Sequence, residues 1–273
     1  MRANVRYWLL PGLSPVEMLA ADYFNQRFSA HWHLGYAVGV VTRGAQRFRA
    51  DGLAWSAGPG DVVTLNPGQV HDGEALTPGG WSVRMAYFPG PALAALLGVG
   101  EPGAFGCPVA RQPALASAFL DWHDAMETEH DPVRALAATR AFAALLRPSL
   151  LPGTKAGAAE AALQAERQRL VGLADVGAAA VSALAEPRAL SRFTVWRQCK
   201  SGLGIAPKPL MTHLRLIAVK RLLVEGHPVA DAALACGFHD QSHLTRQFAS
   251  AYGITPAQFR RVAGGAAVPA GPG

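Results

Sequence analysis

The sequence has few cysteines and no motif that would mark an enzyme. Cysteine occurs only at Cys107, Cys199 and Cys236, and no two of them form a CxxC pair. This odd number and wide spacing argue against a disulfide framework or a zinc finger and favour reduced thiols. The chain also lacks a P-loop, a GxGxxG in its required setting and a paired nucleophile and base. We therefore predict a protein that is not an enzyme and uses no cofactor.

Long apolar runs are also missing. The N-terminus, MRANVRYWLLPG, has too short an apolar stretch for a signal peptide. No window reaches the roughly 18 apolar residues of a membrane span. With 273 residues, of which 50% are hydrophobic and 16% charged, the chain has the composition of a globular protein and room for two domains. We expect a cytoplasmic protein without membrane contact.

Charge is distributed unevenly along the chain. Residues 160–262 contain 13 Lys and Arg against 7 Asp and Glu, whereas residues 1–159 contain 12 of each kind. The whole positive balance of +6 therefore lies in the C-terminal part. Contacts to nucleic-acid phosphates would need such an excess, although a solvated basic surface would give the same count.

Residues 229–261, VADAALACGFHDQSHLTRQFASAYGITPAQFRR, predict two short helices joined by a tight turn and followed by a third helix. Apolar residues recur at helical spacing up to Gly237, a residue type that ends a helix without steric cost. Asp240 suits the N-cap of the next helix, and Thr255 suits the N-cap of the last, which begins at Pro256. The middle helix has an apolar face formed by Leu244, Phe248, Ala251 and Tyr252.

This layout is typical of a helix-turn-helix that places its second helix in a major groove, although any two packed helices can imitate it. An earlier segment repeats it at an offset of 49 residues, with Arg197-Gln198 corresponding to Arg246-Gln247. Between the copies, residues 209–225 predict one helix of about 17 residues, roughly 25 Å long. A rod of that length would hold two recognition helices about one turn of DNA apart.

The second copy, ALACGFHDQSHLTRQFASAYGITPAQFRR, together with LSRFTVWRQ and the connecting helix, resembles the DNA-binding domain of the AraC/XylS family of bacterial transcription regulators. The similarity covers about 100 residues, from roughly 160 to 262. The first copy departs from the family pattern: Cys199 replaces a large aromatic residue, Ala189 replaces the turn glycine, and Pro209 lies in the first turn of the connecting helix. The resemblance implies double-stranded DNA as a partner, bound in two successive major grooves.

Ten residues are predicted to contact DNA. The first recognition helix would face one groove with Phe193, Thr194, Trp196, Arg197 and Lys200, and the second would face the next groove with Gln241, Ser242, His243, Thr245 and Arg246. The two arginines are the strongest candidates, because a guanidinium group can form two hydrogen bonds to guanine. As structural alternatives, Phe193 or Trp196 could belong to the core and Arg246 could pair with a carboxylate such as Asp231.

From residue 28 to residue 88 the pattern changes to short β-like runs at 36–41, 45–50, 53–55, 61–65 and 81–88. Turn residues such as Gly58-Pro59-Gly60 separate these runs, which predicts a meander of strands in a small barrel or jelly roll. Residues 59–71, PGDVVTLNPGQVH, and the run His31-Trp32-His33 resemble the sequence motifs of cupins. Members of the AraC/XylS family often carry a cupin-like domain as their effector-sensing half.

Three histidines could form a metal site, with His31 and His33 on one strand face and His71 across the barrel. Metal-binding cupins also supply a glutamate shortly after the first histidines, whereas here no carboxylate follows before Asp51. We therefore predict no metal and expect these side chains to fix loops at the barrel mouth or to line a pocket for an organic ligand. The predicted ligand-binding residues are His31, His33, Tyr36, His71 and Glu74.

Two helices, at 113–127 and 132–147, are predicted from a proline near each start and from apolar spacing. In the resemblance, helices at this position pair two subunits, although they could instead cover an open side of their own barrel. The predicted fold is two-domain α+β. Its segments are a cupin-like barrel at 1–95, a helical dimerisation segment at 96–150, a flexible linker at 151–159, an all-α DNA-binding domain at 160–262 and a flexible tail at 263–273.

These features predict a homodimeric transcription regulator controlled by an unknown small-molecule effector bound in the barrel. Activation is the more frequent outcome in the family, and an activator would have RNA polymerase as a partner. Two alternatives stay open. The chain could be a metal-dependent cupin enzyme with a DNA-binding appendage, or a regulator that needs no effector.

Overall fold

The described residues form a β-rich half, within residues 4–151, and a helical half, within residues 205–264. A computed structural model describes residues 4–10, 15–127, 131–151 and 205–264. The strands in these ranges are β1 (Asn4–Leu10), β2 (Val16–Tyr23), β3 (Arg27–His31), β4 (Tyr36–Gly44), β5 (Gln46–Ala50), β6 (Leu53–Ala57), β7 (Val62–Leu65), β8 (His71–Ala75), β9 (Trp81–Phe88), β10 (Ala104–Phe105), β11 (Val109–Ala110) and β12 (Leu150–Leu151). The helices are α1 (Gly90–Leu97), α2 (Pro113–Glu127), α3 (Pro132–Leu146), α4 (Pro207–Val224), α5 (Val229–Ala235), α6 (Gln241–Tyr252) and α7 (Pro256–Ala263).

The β-rich half consists of two antiparallel sheets that share one core. The first sheet has six strands in the order β1-β2-β9-β4-β7-β11, and the second has four in the order β3-β8-β5-β6. Leu19 and Val83 of the first sheet and Phe48 of the second belong to the same buried cluster. The predicted cupin-like barrel is therefore confirmed.

The five strands predicted between residues 36 and 88 are confirmed as β4, β5, β6, β7 and β9. Strands β1, β2, β8, β10, β11 and β12 have no counterpart in the prediction. Strand β3 ends at His31, so the prediction that His33 lies on the same strand as His31 is wrong. Residues 18–21 of β2 are buried in succession, so the strand shows no alternation of apolar and polar positions. Strand β8, HDGEA, contains residue types that are rare in strands.

Strand β4 shows that the six-stranded sheet is covered on both faces. Ala37 and Val41 belong to the core inside the barrel, whereas Val38 and Val40 belong to a second core shared with α2 and α3. Successive side chains of a strand point to opposite faces, so an uninterrupted apolar run is buried on both sides.

Helices α2 and α3 cover the outer face of this sheet. The Trp122 ring of α2 stacks on the Phe142 ring of α3 with 4.9 Å between centroids, and Asp131 caps the start of α3. Helix α2 has the predicted bounds, and α3 ends at Leu146, one residue before its predicted end. Strand β11 pairs with β7 in the same sheet, so the barrel continues beyond the boundary predicted at residue 95.

The helical half confirms the second helix-turn-helix. Helix α4 is the predicted connecting helix, although it starts two residues earlier; Pro207 and Pro209 lie in its first turn, where a missing N–H costs no helical hydrogen bond. Helices α5, α6 and α7 follow with the predicted caps. None of the described helices is long and apolar enough to cross a membrane. The first helix-turn-helix copy, most of the predicted linker and the end of the tail lie outside the described residues.

The two halves are in contact through a continuous buried core. The ring of Tyr7 in β1 lies 5.9 Å from the ring of Phe259 in α7, measured between centroids. At Gly253, which follows α6 with a φ of 73°, a β-carbon would lie 2.8 Å from the Tyr23 hydroxyl oxygen of the barrel. Glycine is required there by both the backbone conformation and the close approach.

Candidate functional site

Helix α6 carries the second set of predicted DNA contacts. The Asp240 carboxylate accepts a hydrogen bond of 2.6 Å from the backbone N–H of His243, which confirms the predicted N-cap. Leu244, Phe248 and Ala251 are buried. Because these positions recur every three or four residues, one face of α6 lies in the core and the opposite face is left to solvent.

The turn before α6 is tied to the connecting helix. Gly237 has a φ of 73°, the left-handed conformation that glycine adopts at helix ends. The Arg215 guanidinium group of α4 donates a hydrogen bond of 3.1 Å to the Gly237 carbonyl oxygen. The turn that sets α6 against α5 is thereby held by a third helix.

The predicted contact residues of α6 differ in exposure. His243 is half-buried because its ring packs edge-on against Phe238 with 5.5 Å between centroids. Thr245 is half-buried as well, and its hydroxyl donates to the carbonyl oxygen of the preceding helical turn at 2.8 Å. The exposed residues of the set are Gln241, Ser242 and Arg246.

Arg246 is directed to solvent with its charge available. Within the described part of the chain it forms no ion pair with Asp231 or with any other carboxylate, so the structural alternative raised for it does not apply there. The contacts predicted for the first copy lie outside the described residues and stay predictions: Phe193, Thr194, Trp196, Arg197 and Lys200.

A cavity lies between the barrel and the helical half. The barrel wall is mainly aromatic and aliphatic, with Tyr7, Leu19, Tyr23, Phe28, Trp81 and Val83 among its residues. The opposite wall comes from the helical half and includes Lys220, Ala251, Tyr252, Ile254 and Phe259. A molecule held in this cavity would contact both halves at once.

His31, His33 and His71 lie together in this cavity. His31 of β3 is the direct cross-strand partner of His71 in β8, and their ring centroids are 4.2 Å apart. The prediction that His71 lies across the barrel is therefore wrong, because β3 and β8 are neighbours in one sheet. His33 follows β3, with its ring centroid 5.1 Å from that of His31 and 5.0 Å from that of His71.

All three imidazoles are uncharged at neutral pH. Burial lowers the pKa of His31 to about 3 and the pKa of His71 to about 4. Burial and the neighbouring rings also hold the pKa of His33 well below its ordinary value. Each ring therefore has one nitrogen with a free lone pair and one that carries hydrogen.

Tyr36 and Glu74, predicted beside these histidines, are not among the residues that line the cavity. Tyr36 has the same strand parity as Val38 and packs in the outer core. The Glu74 carboxylate accepts hydrogen bonds of 2.7 Å from both Arg27 and Arg47, which lower the pKa of Glu74. This acid thus belongs to a surface network of ion pairs.

The sequence reasoning misses the ion pair that joins the two walls of the cavity. The Lys220 ammonium nitrogen of α4 lies 2.6 Å from a carboxylate oxygen of Glu17 in β2. The same nitrogen lies 5.0 Å from the ring centroid of Tyr252 and 4.9 Å from that of Phe259. Such contacts between a cation and aromatic faces add to the attraction of the ion pair.

Replacing Lys220 with methionine is expected to lower the free energy of unfolding by about 1–2 kcal/mol, because Glu17 would keep a largely buried charge without its cation. The two side chains are 20% and 29% exposed, so solvent screens part of the interaction. Adding Glu17→Gln should recover part of the loss, since no unpaired charge would remain. Urea denaturation of the wild type, both single variants and the double variant measures the coupling. If the stability losses of the two single variants simply add in the double variant, Lys220 and Glu17 are not coupled and the prediction is contradicted.

Comparison with known proteins supports the same two-part organisation. A family model described as an AraC-like ligand binding domain matches residues 14–146, and one described as a helix-turn-helix domain matches residues 184–262. The transcriptional activator RhaS of Salmonella arizonae is 35% identical over 80 residues, which are 29% of this chain and 29% of RhaS. The match therefore spans less than a third of that relative.

Solved structures of ToxT from Vibrio cholerae share the fold over nearly the full length. The apo form of a ToxT variant has a TM-score of 0.54 at 12% identity and covers 96% of this chain and 98% of that one. ToxT with a bound unsaturated fatty acid has a TM-score of 0.50 at 13% identity, with coverages of 94% and 98%. The two family models match this chain in the order ligand-binding domain, then helix-turn-helix domain. The chain therefore belongs to the AraC/XylS family of transcription regulators.

Proposed function

We propose that the protein is a sequence-specific DNA-binding transcription regulator controlled by a small molecule bound in the cavity. The observation that carries this proposal is that α6 both exposes predicted DNA contacts and lines the cavity. Gln241, Ser242 and Arg246 of this helix are exposed, and Ala251 and Tyr252 near its C-terminal end line the cavity. An effector would act by binding more tightly to one arrangement of α6 against the barrel than to another.

The chemistry of the cavity favours an apolar effector with an acidic group. Most of its lining is aromatic or aliphatic, and the Lys220 ammonium group lies where the two walls meet. ToxT has been solved with an unsaturated fatty acid bound, which supports this class for a chain of the same fold. The acidic group of the effector would compete with Glu17 for Lys220.

The proposed partners follow from the family and from the exposed surfaces. Double-stranded DNA would be bound in two successive major grooves, one for each helix-turn-helix copy. On α3, Val133 is 77% exposed and Leu136 is 52% exposed, which supports a homodimer formed through this helix. RhaS is an activator, so we also propose activation, with RNA polymerase as a partner, in the cytoplasm.

The proposal is tested by selecting genomic DNA fragments on the full-length protein at near-physiological salt and sequencing what is retained. We expect a few discrete sites to be enriched by the wild type and lost with the double variant Arg197→Ala, Arg246→Ala. The matched control is Arg260→Ala, Arg261→Ala, which removes the same charge from exposed positions of α7. Uniform retention that disappears with modest added salt would mean that the protein binds only phosphates, and would refute sequence-specific regulation.

A further inference from the structure

The three histidines of the cavity converge as metal ligands do. One ligand atom from each of His31, His33 and His71 lies within 4.8 Å of the other two. Zinc bonded to imidazole nitrogens at about 2.1 Å in tetrahedral geometry holds them roughly 3.4 Å apart. Side-chain rotations of about 1 Å at the ring tips would therefore close the set around one ion.

Hydrogen bonds on the far side of two rings fix which nitrogen is free. His31 Nδ1 lies 2.8 Å from the Ser29 carbonyl oxygen, and His71 Nδ1 lies 2.9 Å from the Gln69 carbonyl oxygen. A carbonyl oxygen can only accept, so each Nδ1 carries the hydrogen and each Nε2 keeps its lone pair. The same arrangement orients the imidazole ligands of metal sites and sets their tautomer.

The donor set selects the class of metal. Three neutral imidazole nitrogens suit first-row ions such as Zn²⁺ and Ni²⁺, whereas Mg²⁺ and Ca²⁺ prefer oxygen ligands. Within the described residues, no carboxylate shares this cluster. A divalent ion held here would keep its full charge and would attract an anionic donor in its remaining position.

We propose that His31, His33 and His71 bind one first-row divalent ion of the zinc class, with a coordination position open to the cavity for an anionic group of the effector. The sequence argued against a metal because the cupin glutamate is absent; the fixed tautomers and the convergence of the rings argue for a different site, with nitrogen ligands alone. The metal site follows from the three rings, and only its role toward the effector depends on the proposed function.

The site would lie beside the contact between the two halves. His213 of α4 has its ring centroid 5.9 Å from that of His31. Its Nε2 lies 2.7 Å from the Trp32 carbonyl oxygen, and its Nδ1 is buried without a partner in the described structure. An ion in the cluster would therefore sit next to a histidine supplied by the connecting helix of the DNA-binding half.

The test uses full-length protein made without a polyhistidine tag, treated with a chelator and titrated with Zn²⁺ alone. We expect one equivalent to bind, and Mg²⁺ not to compete. His71→Asn and His33→Leu should each weaken Zn²⁺ binding at least about tenfold. The matched control is His123→Asn. His123 is also a buried histidine, but its ring forms a hydrogen bond with the Leu19 carbonyl oxygen and lies outside the cluster.

Two results would overturn the metal site. The first is less than about a tenth of an equivalent of Zn²⁺ on correctly folded wild type. The second is a loss of binding in His123→Asn as large as in His71→Asn. If His71→Asn does not fold, His33→Leu decides, because His33 is only half-buried. Selection of discrete DNA sites by protein that binds no Zn²⁺ would refute the metal and leave the proposed function intact.

Discussion

Phe248→Ala is expected to lower the free energy of unfolding by about 3–5 kcal/mol, the range for removing a large aromatic side chain from a packed core. The Phe248 side chain is fully buried. Its ring centroid lies 4.7 Å from that of Tyr252 and 5.8 Å from that of Phe259, so the variant would open a cavity where α6 meets α7. Urea denaturation followed by circular dichroism measures the loss, and binding to a selected DNA site should fall with it.

The control for this variant is Leu234→Ala in α5. Leu234 is 66% exposed, so the same kind of truncation should change stability by less than about 0.5 kcal/mol. Phe248→Leu should lie between the two, because it removes less volume. Equal stability of the Phe248→Ala and Leu234→Ala variants would show that α6 does not pack against the helical core as described.

The helices described between residues 205 and 264 were predictable because their boundaries are determined locally. Gly237, Asp240 and Thr255 each end or start a helix through their own backbone conformation or side-chain hydrogen bond. The apolar positions of α6 recur with the period of a helix, so its buried face follows from the sequence. Signals of this kind act within a few residues and need no knowledge of the rest of the fold.

The candidate cavity was only partly predictable, because it depends on contacts between distant segments. The pairing of His31 with His71 requires the register of β3 on β8, which includes a bulge between Phe28 and His31. A shift of one residue would turn every side chain of a strand to the other face. The sequence therefore predicted that the three histidines lie together, but it placed His71 across the barrel and not on the strand next to His31.

Lys220 shows what a sequence signal could have added. It follows buried Ile217 by three residues and precedes buried Leu223 by three, so it stands on the apolar stripe of α4. A lysine in such a position needs a partner, here Glu17 of β2, which is 203 residues away in the sequence. The signal predicts a buried contact for Lys220, although it does not say with which residue.

Arg246→Ala is expected to weaken binding to a site recovered in the genomic selection by about 1–3 kcal/mol, which is roughly a 5- to 150-fold loss of affinity. The guanidinium group is exposed on the same side of α6 as Ser242, four residues earlier in the helix, where a pair of hydrogen bonds to guanine can form. Titration of labelled duplexes at fixed salt measures the loss.

The decisive comparison for Arg246 is between specific and random DNA. A base-reading arginine contributes to the specific site and little to random DNA, whereas a phosphate contact contributes to both. Arg261→Ala removes the same charge from an exposed position on α7 and should lower both affinities by a similar factor. If Arg246→Ala behaves like Arg261→Ala, then Arg246 is a phosphate contact, and base recognition by α6 must come from its other exposed residues, Gln241 and Ser242.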